Sequence, residues 1–296
     1  MFKMLLIITS ISACSRFYHH DAKAVADLSP LDLKAINYQH ANNSHQDAHG
    51  FLTTGCDSLL FTSLLATFSK PEIDILAARD ADGAWHRRPD APCFPNESRS
   101  EISRDMITGV MFWALFQNKP EILEDLRSYG KAHNWIMGLG DQNRTAMSAN
   151  IITLLDMSID FLRGKPNKEE SFFFFALPVV GYAAHLQTLQ ILMIGKIKGK
   201  ISPGLFAAAT RNLRNNPRNA LYQYTVAKYS TGVFSTAIAT LLDESLFPVG
   251  HLPTTENHCT EYLWQRDLGA DWEPCEKFEE HTGTDFLFVY ELLKNG

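Results

Sequence analysis

Residues Ser98–His133 read SRSEISRDMITGVMFWALFQNKPEILEDLRSYGKAH, and the spacing of their apolar positions sets the fold class. Ile102, Met106, Val110, Trp113 and Ala114 recur at helical intervals and make one apolar face. Ser98 and Glu101 stand at capping-box spacing, with Ser100 and Ser103 as alternative caps. Asn118-Lys119-Pro120 ends this helix. Pro120 then opens the next one, at the first-turn position where its missing N–H does no harm. Leu123, Leu126, Tyr129 and His133 continue that second helix, so the stretch predicts two consecutive helices joined by a short turn.

The same pattern extends in both directions. Leu52 to Ser69 predicts a helix on Leu59, Leu60, Ser63, Leu64 and Thr67. Thr145 to Leu162 predicts another, stopped by Gly164 and Pro166. Phe172 to Ile194 is the most apolar region. It carries Pro178, Gly181, His185, Gln187 and Gln190, and so reads as a buried core helix rather than a membrane span. Ser202-Pro203 starts a helix to about Arg214, Asn219 to Tyr229 and Ser230 to Leu242 form a further pair, and Asp285 to Lys294 closes the chain. About nine helices result, with almost no alternating strand pattern, which makes the chain all-α. Two irregular segments interrupt them, near 79–100 and 247–284, and loops of that length are uncommon unless functional. The first contains Asp82-Gly83, a tight-turn signal, and then Pro89, Pro92 and Pro95, which favour extended chain.

The 296 residues include 27 Lys and Arg against 33 Asp and Glu, a formal charge of -6. An acidic chain without a basic stripe is a poor nucleic-acid binder. Motifs for phosphate loops, dinucleotides or a nucleophile elbow are absent, and no cofactor is expected. His251, His258 and His281 lack the i, i+4 spacing of a helical zinc site, and no metal is expected either.

Met1 to Ala13 has one basic residue, Lys3, a short apolar run from Met4 to Ile8, and small residues before Cys14. That is the layout of a secretory signal, too short to span a bilayer. Ile11-Ser12-Ala13-Cys14 resembles the lipobox of bacterial lipoproteins, which implies cleavage before Cys14 and a diacylglyceryl thioether on it. Ser15 follows without an inner-membrane retention Asp, so the expected address is the outer membrane, by lipid anchor. The alternative is an ordinary signal or a buried N-terminal helix. The expected organisation is a signal over 1–13, a lipidated tether and irregular segment over 14–49, and one helical domain over 50–296. With Cys14 lipidated, Cys56, Cys93, Cys259 and Cys275 remain. Of the three possible connectivities, Cys56–Cys93 and Cys259–Cys275 are favoured because each closes a local segment; four buried thiols are the alternative.

Two constellations could carry chemistry. The first is Trp85-His86-Arg87-Arg88 with Glu101 to Asp105, where Glu101 and Asp105 share a helix face and Arg104 is adjacent. An ionised carboxylate there could act as a base or orient water, and a carboxylic acid partner could come from Asp57, Asp141, Asp267 or Asp285. The plainer reading makes the acids first-turn features and Arg104–Asp105 a structural ion pair. The second runs from Tyr262 through Trp264, Arg266 and Asp267 to Trp272, where aromatic faces beside charged groups suit a sugar ring. The plainer reading makes these tryptophans cover for the core.

Helical hairpins in series, with the Trp85, Ser103-Arg104-Asp105 and Trp264–Asp267 clusters, resemble the six-hairpin glycosidases and polysaccharide lyases over roughly residues 50–296. The resemblance implies a full or partial α/α toroid and an enzyme that cleaves a glycan. The site would gather Asp57, Glu101, Arg104, Asp105, Asp141 and Asp267 as acids and charge carriers. Trp85, His86, Arg87, Tyr262, Trp264 and Arg266 would hold substrate. A hydrolase would use two carboxylates, about 5–9.5 Å apart depending on stereochemistry. A lyase would use Arg104 or Arg266 to neutralise a uronate. The competing expectation is a non-catalytic helical lipoprotein that binds carbohydrate or assists envelope assembly.

Overall fold

A computed structural model of the chain describes residues 29–53, 58–68, 73–89, 102–138, 145–166, 177–179, 182–247 and 283–295. Among them are ten α-helices and no strand. In chain order they are α1 (Pro30–Ser44), α2 (Ser58–Ala66), α3 (Arg104–Phe116), α4 (Pro120–Ala132), α5 (Ala149–Leu162), α6 (Tyr182–Lys198), α7 (Pro203–Asn215), α8 (Ala220–Lys228), α9 (Ser235–Leu242) and α10 (Thr284–Asn295). The all-α expectation holds for these residues.

Local chemistry sets several boundaries. Ser29, Ser202 and Asn219 each accept a first-turn amide, from Asp32, Leu205 and Tyr222, and so start α1, α7 and α8. Pro30, Pro120 and Pro203 occupy first-turn positions. Of the three candidate serines, Ser103 is the residue before α3. The helix expected from Thr145 begins four residues later. The intervening backbone is used elsewhere: Met137 N–H donates to the Thr145 carbonyl at 2.8 Å, and Met147 N–H donates to the Trp135 carbonyl at 2.8 Å. The Asp82-Gly83 signal does form a tight turn. Gly83 has φ +94°, and Asp80 N–H bonds the Ala84 carbonyl at 2.8 Å.

The middle of the molecule is α2, α3 and α6. All nine residues of α2 are buried, and so is every residue of α3 from Met106 to Leu115. A helix apolar all round belongs inside. α3 touches α2, α4, α5 and α6. The approach of α2 to α3 is made possible by Gly109, because a β-carbon there would lie 2.9 Å from the Leu60 Cα. α4 and α5 pair with each other, while α8 contacts α6, α7, α9 and α10.

α10 fits between α1, α2 and α8. Phe286 stacks on Tyr38 with ring centroids 4.3 Å apart, and Phe288 meets Phe112 at 5.6 Å. Asn42 donates to the Thr284 hydroxyl at 3.2 Å in a buried setting. Asp32 accepts from Tyr290 at 2.7 Å and pairs with Lys294 at 3.1 Å. The first and last described helices are therefore joined by aromatic stacking, a buried hydrogen bond and an ion pair.

Candidate functional site

Three helix starts meet at one cleft. α3 contributes Ser103, Arg104 and Asp105, α5 contributes Ser148, Asn150 and Ile151, and α6 contributes Ala183, Leu186, Gln187 and Gln190. Thr145 and Val179 complete the walls of a 590 Å³ cavity, within the range of small-molecule sites. The arrangement follows from the fold, since α5 and α6 both contact α3 and each other.

Its side chains divide by chemistry. Arg104 is exposed, and its guanidinium makes no ion pair. The expected Arg104–Asp105 ion pair is therefore not formed. Neighbouring side chains on a helix diverge by about 100°, which keeps i and i+1 apart. Asp105 is half-buried and accepts the Ser103 hydroxyl proton. Gln187 is buried with its amide fully used: it donates to the Leu177 carbonyl at 2.7 Å and accepts from Asn212 at 3.1 Å. Gln190 is only 6% exposed, borders the same cleft, and makes no hydrogen bond. Ile151, Val179, Ala183 and Leu186 supply an apolar wall.

Ser103 and Ser148 hold the residue-before-helix positions of α3 and α5, yet neither caps its helix. The first-turn amides of Arg104, Met106, Ala149, Asn150 and Ile151 are therefore left without a side-chain cap from these serines. Each helix start also contributes roughly half a positive charge. Asp105 lies in the first turn of α3 and offsets that end, whereas the first turn of α5 carries no acid.

The other expected site residues are distributed differently. Trp85 is 2% exposed and sits in the core. It is not part of the cleft wall, and a buried ring offers no face to a sugar. His86 pairs with Asp80 at 2.8 Å, Arg87 is buried, and Arg88 donates to the Thr53 carbonyl at 3.4 Å. His86 thus serves the turn at Asp80–Ala84, and none of the three lines the cleft with Arg104 and Asp105. Asp285 is buried at the start of α10, with its carboxylate on the Phe286 amide at 2.9 Å. Asp57, Glu101, Asp141, Asp267, Tyr262, Trp264 and Arg266 lie outside the described residues, as do Cys14, Cys56, Cys93, Cys259 and Cys275. Asp105 is the one carboxylate among the described wall residues.

Sequence reasoning missed Ser148, Asn150, Gln187 and Gln190. The glutamines carried a usable signal: an amide inside the most apolar stretch needs a partner or a ligand. Nothing in the spacing of Ser148 marked it as a cap that withholds its bond.

A second polar cluster is structural. His185 is buried and lies 3.1 Å from the Tyr222 hydroxyl, with the two rings stacked. Among the described residues no group of three His, Cys, Asp or Glu could hold a metal, and no helix is long and apolar enough to cross a membrane. No protein-family model, no curated protein and no solved structure matches this chain.

Proposed function

We propose that the cleft at the start of α3 is a carbohydrate site, on a protein held to the bacterial envelope through a lipid on Cys14. The observation that carries this is the composition of the walls. Neutral polar groups (Thr145, Ser148, Asn150, Gln190) and apolar side chains (Ile151, Val179, Leu186) line the cleft together with Asp105 and Arg104. A sugar ring has the same division, hydroxyls at its edge and a C–H face. The envelope address rests on Ile11-Ser12-Ala13-Cys14 and the short apolar run before it.

In the stronger form of this reading the chain cleaves the glycan, with Asp105 as the carboxylate that activates water or takes a proton. A partial α/α toroid belongs to the same reading, supported by the circuit of neighbours α2–α3–α6–α8–α10, which returns to α2. The presence of a single carboxylate in the described wall favours the second reading, a binding module without cleavage, because hydrolysis calls for two.

The test is a panel of neutral and acidic oligosaccharides, followed by calorimetry for binding and by chromatography for products. Binding without products assigns a binding module. Products that disappear in Asp105→Asn, with unchanged helical circular dichroism, assign the enzyme. A panel that yields neither binding nor products removes the carbohydrate reading. Mass spectrometry of the membrane fraction tests the anchor, and an unacylated Cys14 removes it.

A further inference from the structure

Neutral sugar hydroxyls do not account for everything in the cleft. Where Ser or Asn precedes α1, α7 and α8, its side chain accepts a first-turn amide. Ser103 and Ser148 have the same position and chemistry but leave those amides uncapped, and both border one cavity. Open helix starts are ready-made anion sites, because their N–H groups and dipole point the same way. Arg104 adds an exposed guanidinium without an ion pair. Asp105, in the first turn of α3, offsets part of this positive character, while the start of α5 carries no acid.

Gln190 points to a ligand independently. It is more than nine-tenths buried, borders the cleft from α6, and makes no hydrogen bond among the described residues. Its neighbour one turn earlier, Gln187, is fully bonded, so burial on α6 is compatible with satisfaction. The polar atoms of Gln190 are not among the fully buried unpaired ones of the described residues, so its amide opens on the cleft, where a ligand can reach it.

We propose that the cleft contains an oxyanion subsite. A carboxylate or phosphate group is received by the Arg104 and Met106 amides of α3, the first-turn amides of α5, the Arg104 guanidinium and the Gln190 carboxamide N–H₂. This deepens the carbohydrate reading by making the ligand acidic, and its anion part can be tested apart from the sugar.

The experiment is a backbone-amide NMR titration of the full chain with inorganic phosphate, with glucuronate and with glucose at matched concentration. We expect phosphate, glucuronate or both to move the amides of Arg104–Met106 and Ala149–Ile151, with apparent affinity at least tenfold above glucose. Movement by phosphate alone assigns a phosphate ligand, and by glucuronate alone a carboxylate. Arg104→Gln should weaken the anion at least fivefold with unchanged circular dichroism. Gln190→Leu should weaken it as well, while making the ligand-free protein no less stable. Failure of both anions to move these amides overturns the inference, as does anion binding that is indifferent to Arg104→Gln. Glucose binding equal to glucuronate overturns the anion subsite and keeps the carbohydrate site. Phosphate binding with neither sugar bound, nor any acidic oligosaccharide, keeps the subsite and removes the carbohydrate reading.

Discussion

Replacing Gly109 by alanine sets two effects of known sign against each other. Glycine in mid-helix costs about 1 kcal/mol relative to alanine, so propensity alone makes Gly109→Ala stabilising. The new methyl, however, would lie 2.9 Å from the Leu60 Cα, 2.9 Å from Leu60 Cδ1 and 3.0 Å from the Leu60 carbonyl oxygen. The Leu60 side chain can swing away, but its backbone moves only if all of α2 moves. α2 is buried along its whole length, and α3 is buried through Met106–Leu115. Separating them by a few tenths of an ångström therefore loosens contacts on every side. Overpacking costs roughly 1–3 kcal/mol, and a rigid obstacle puts this site at the upper end. Subtracting the propensity gain leaves a loss of about 2 kcal/mol. For a chain of this size that is a fall in Tm of roughly 4 °C, with Gly109→Val falling further. Thermal melts followed at 222 nm measure it. A Gly109→Ala protein that melts at or above the parent refutes the close-approach account of α2 and α3.

Two other predictions use different physics. The Tyr229 hydroxyl is buried without a hydrogen bond, crowded against Gly195, and burial pushes its pKa upward. Tyr229→Phe should therefore raise stability by about 1 kcal/mol in urea unfolding, and a comparable loss would show that the hydroxyl is bonded in solution. Asp32 is held well below its usual range of ionisation by the Ser29 hydroxyl, then Tyr290, then Lys294. A depressed carboxyl stabilises the fold above its unfolded value, near 3.9, and that stability drains away as pH falls through and below it. Urea midpoints from pH 6 to pH 3 should fall more steeply in the parent than in Asp32→Asn. Parallel curves would mean that the Asp32 contacts do not persist in solution.

Elements with a local cause were legible in the sequence. Pro120 and the face of Leu123, Leu126 and Tyr129 suffice to place α4, and all three of those side chains are buried. The start of α5 was not legible, because it depends on the Trp135–Met137 backbone taking the Thr145–Met147 backbone as partner. Trp135 does this with φ +61°, a conformation no residue pattern announces for tryptophan. At the site, Arg104 and Asp105 were legible from residue type and position at a helix start. Trp85 was misleading: a tryptophan beside His and Arg has the composition of a sugar platform, but distant core packing decides which way its ring faces. The two serines and Gln190 were hidden for the same reason, since whether a polar group is satisfied depends on partners remote in sequence.

The union of α1 with α10 has a consequence for the order of events in biosynthesis. Phe286 and Phe288 are fully buried, and they complete surroundings begun by Tyr38 and Phe112 some 170 to 250 positions earlier in the chain. A ribosome that has delivered α1 through α9 has not yet supplied the residues that close their core. Until Phe286 and Phe288 are made, the rings of Tyr38 and Phe112 lack the partners that cover them in the fold. Completion of the core thus waits on residues near position 286, whatever the order in which the earlier helices pair.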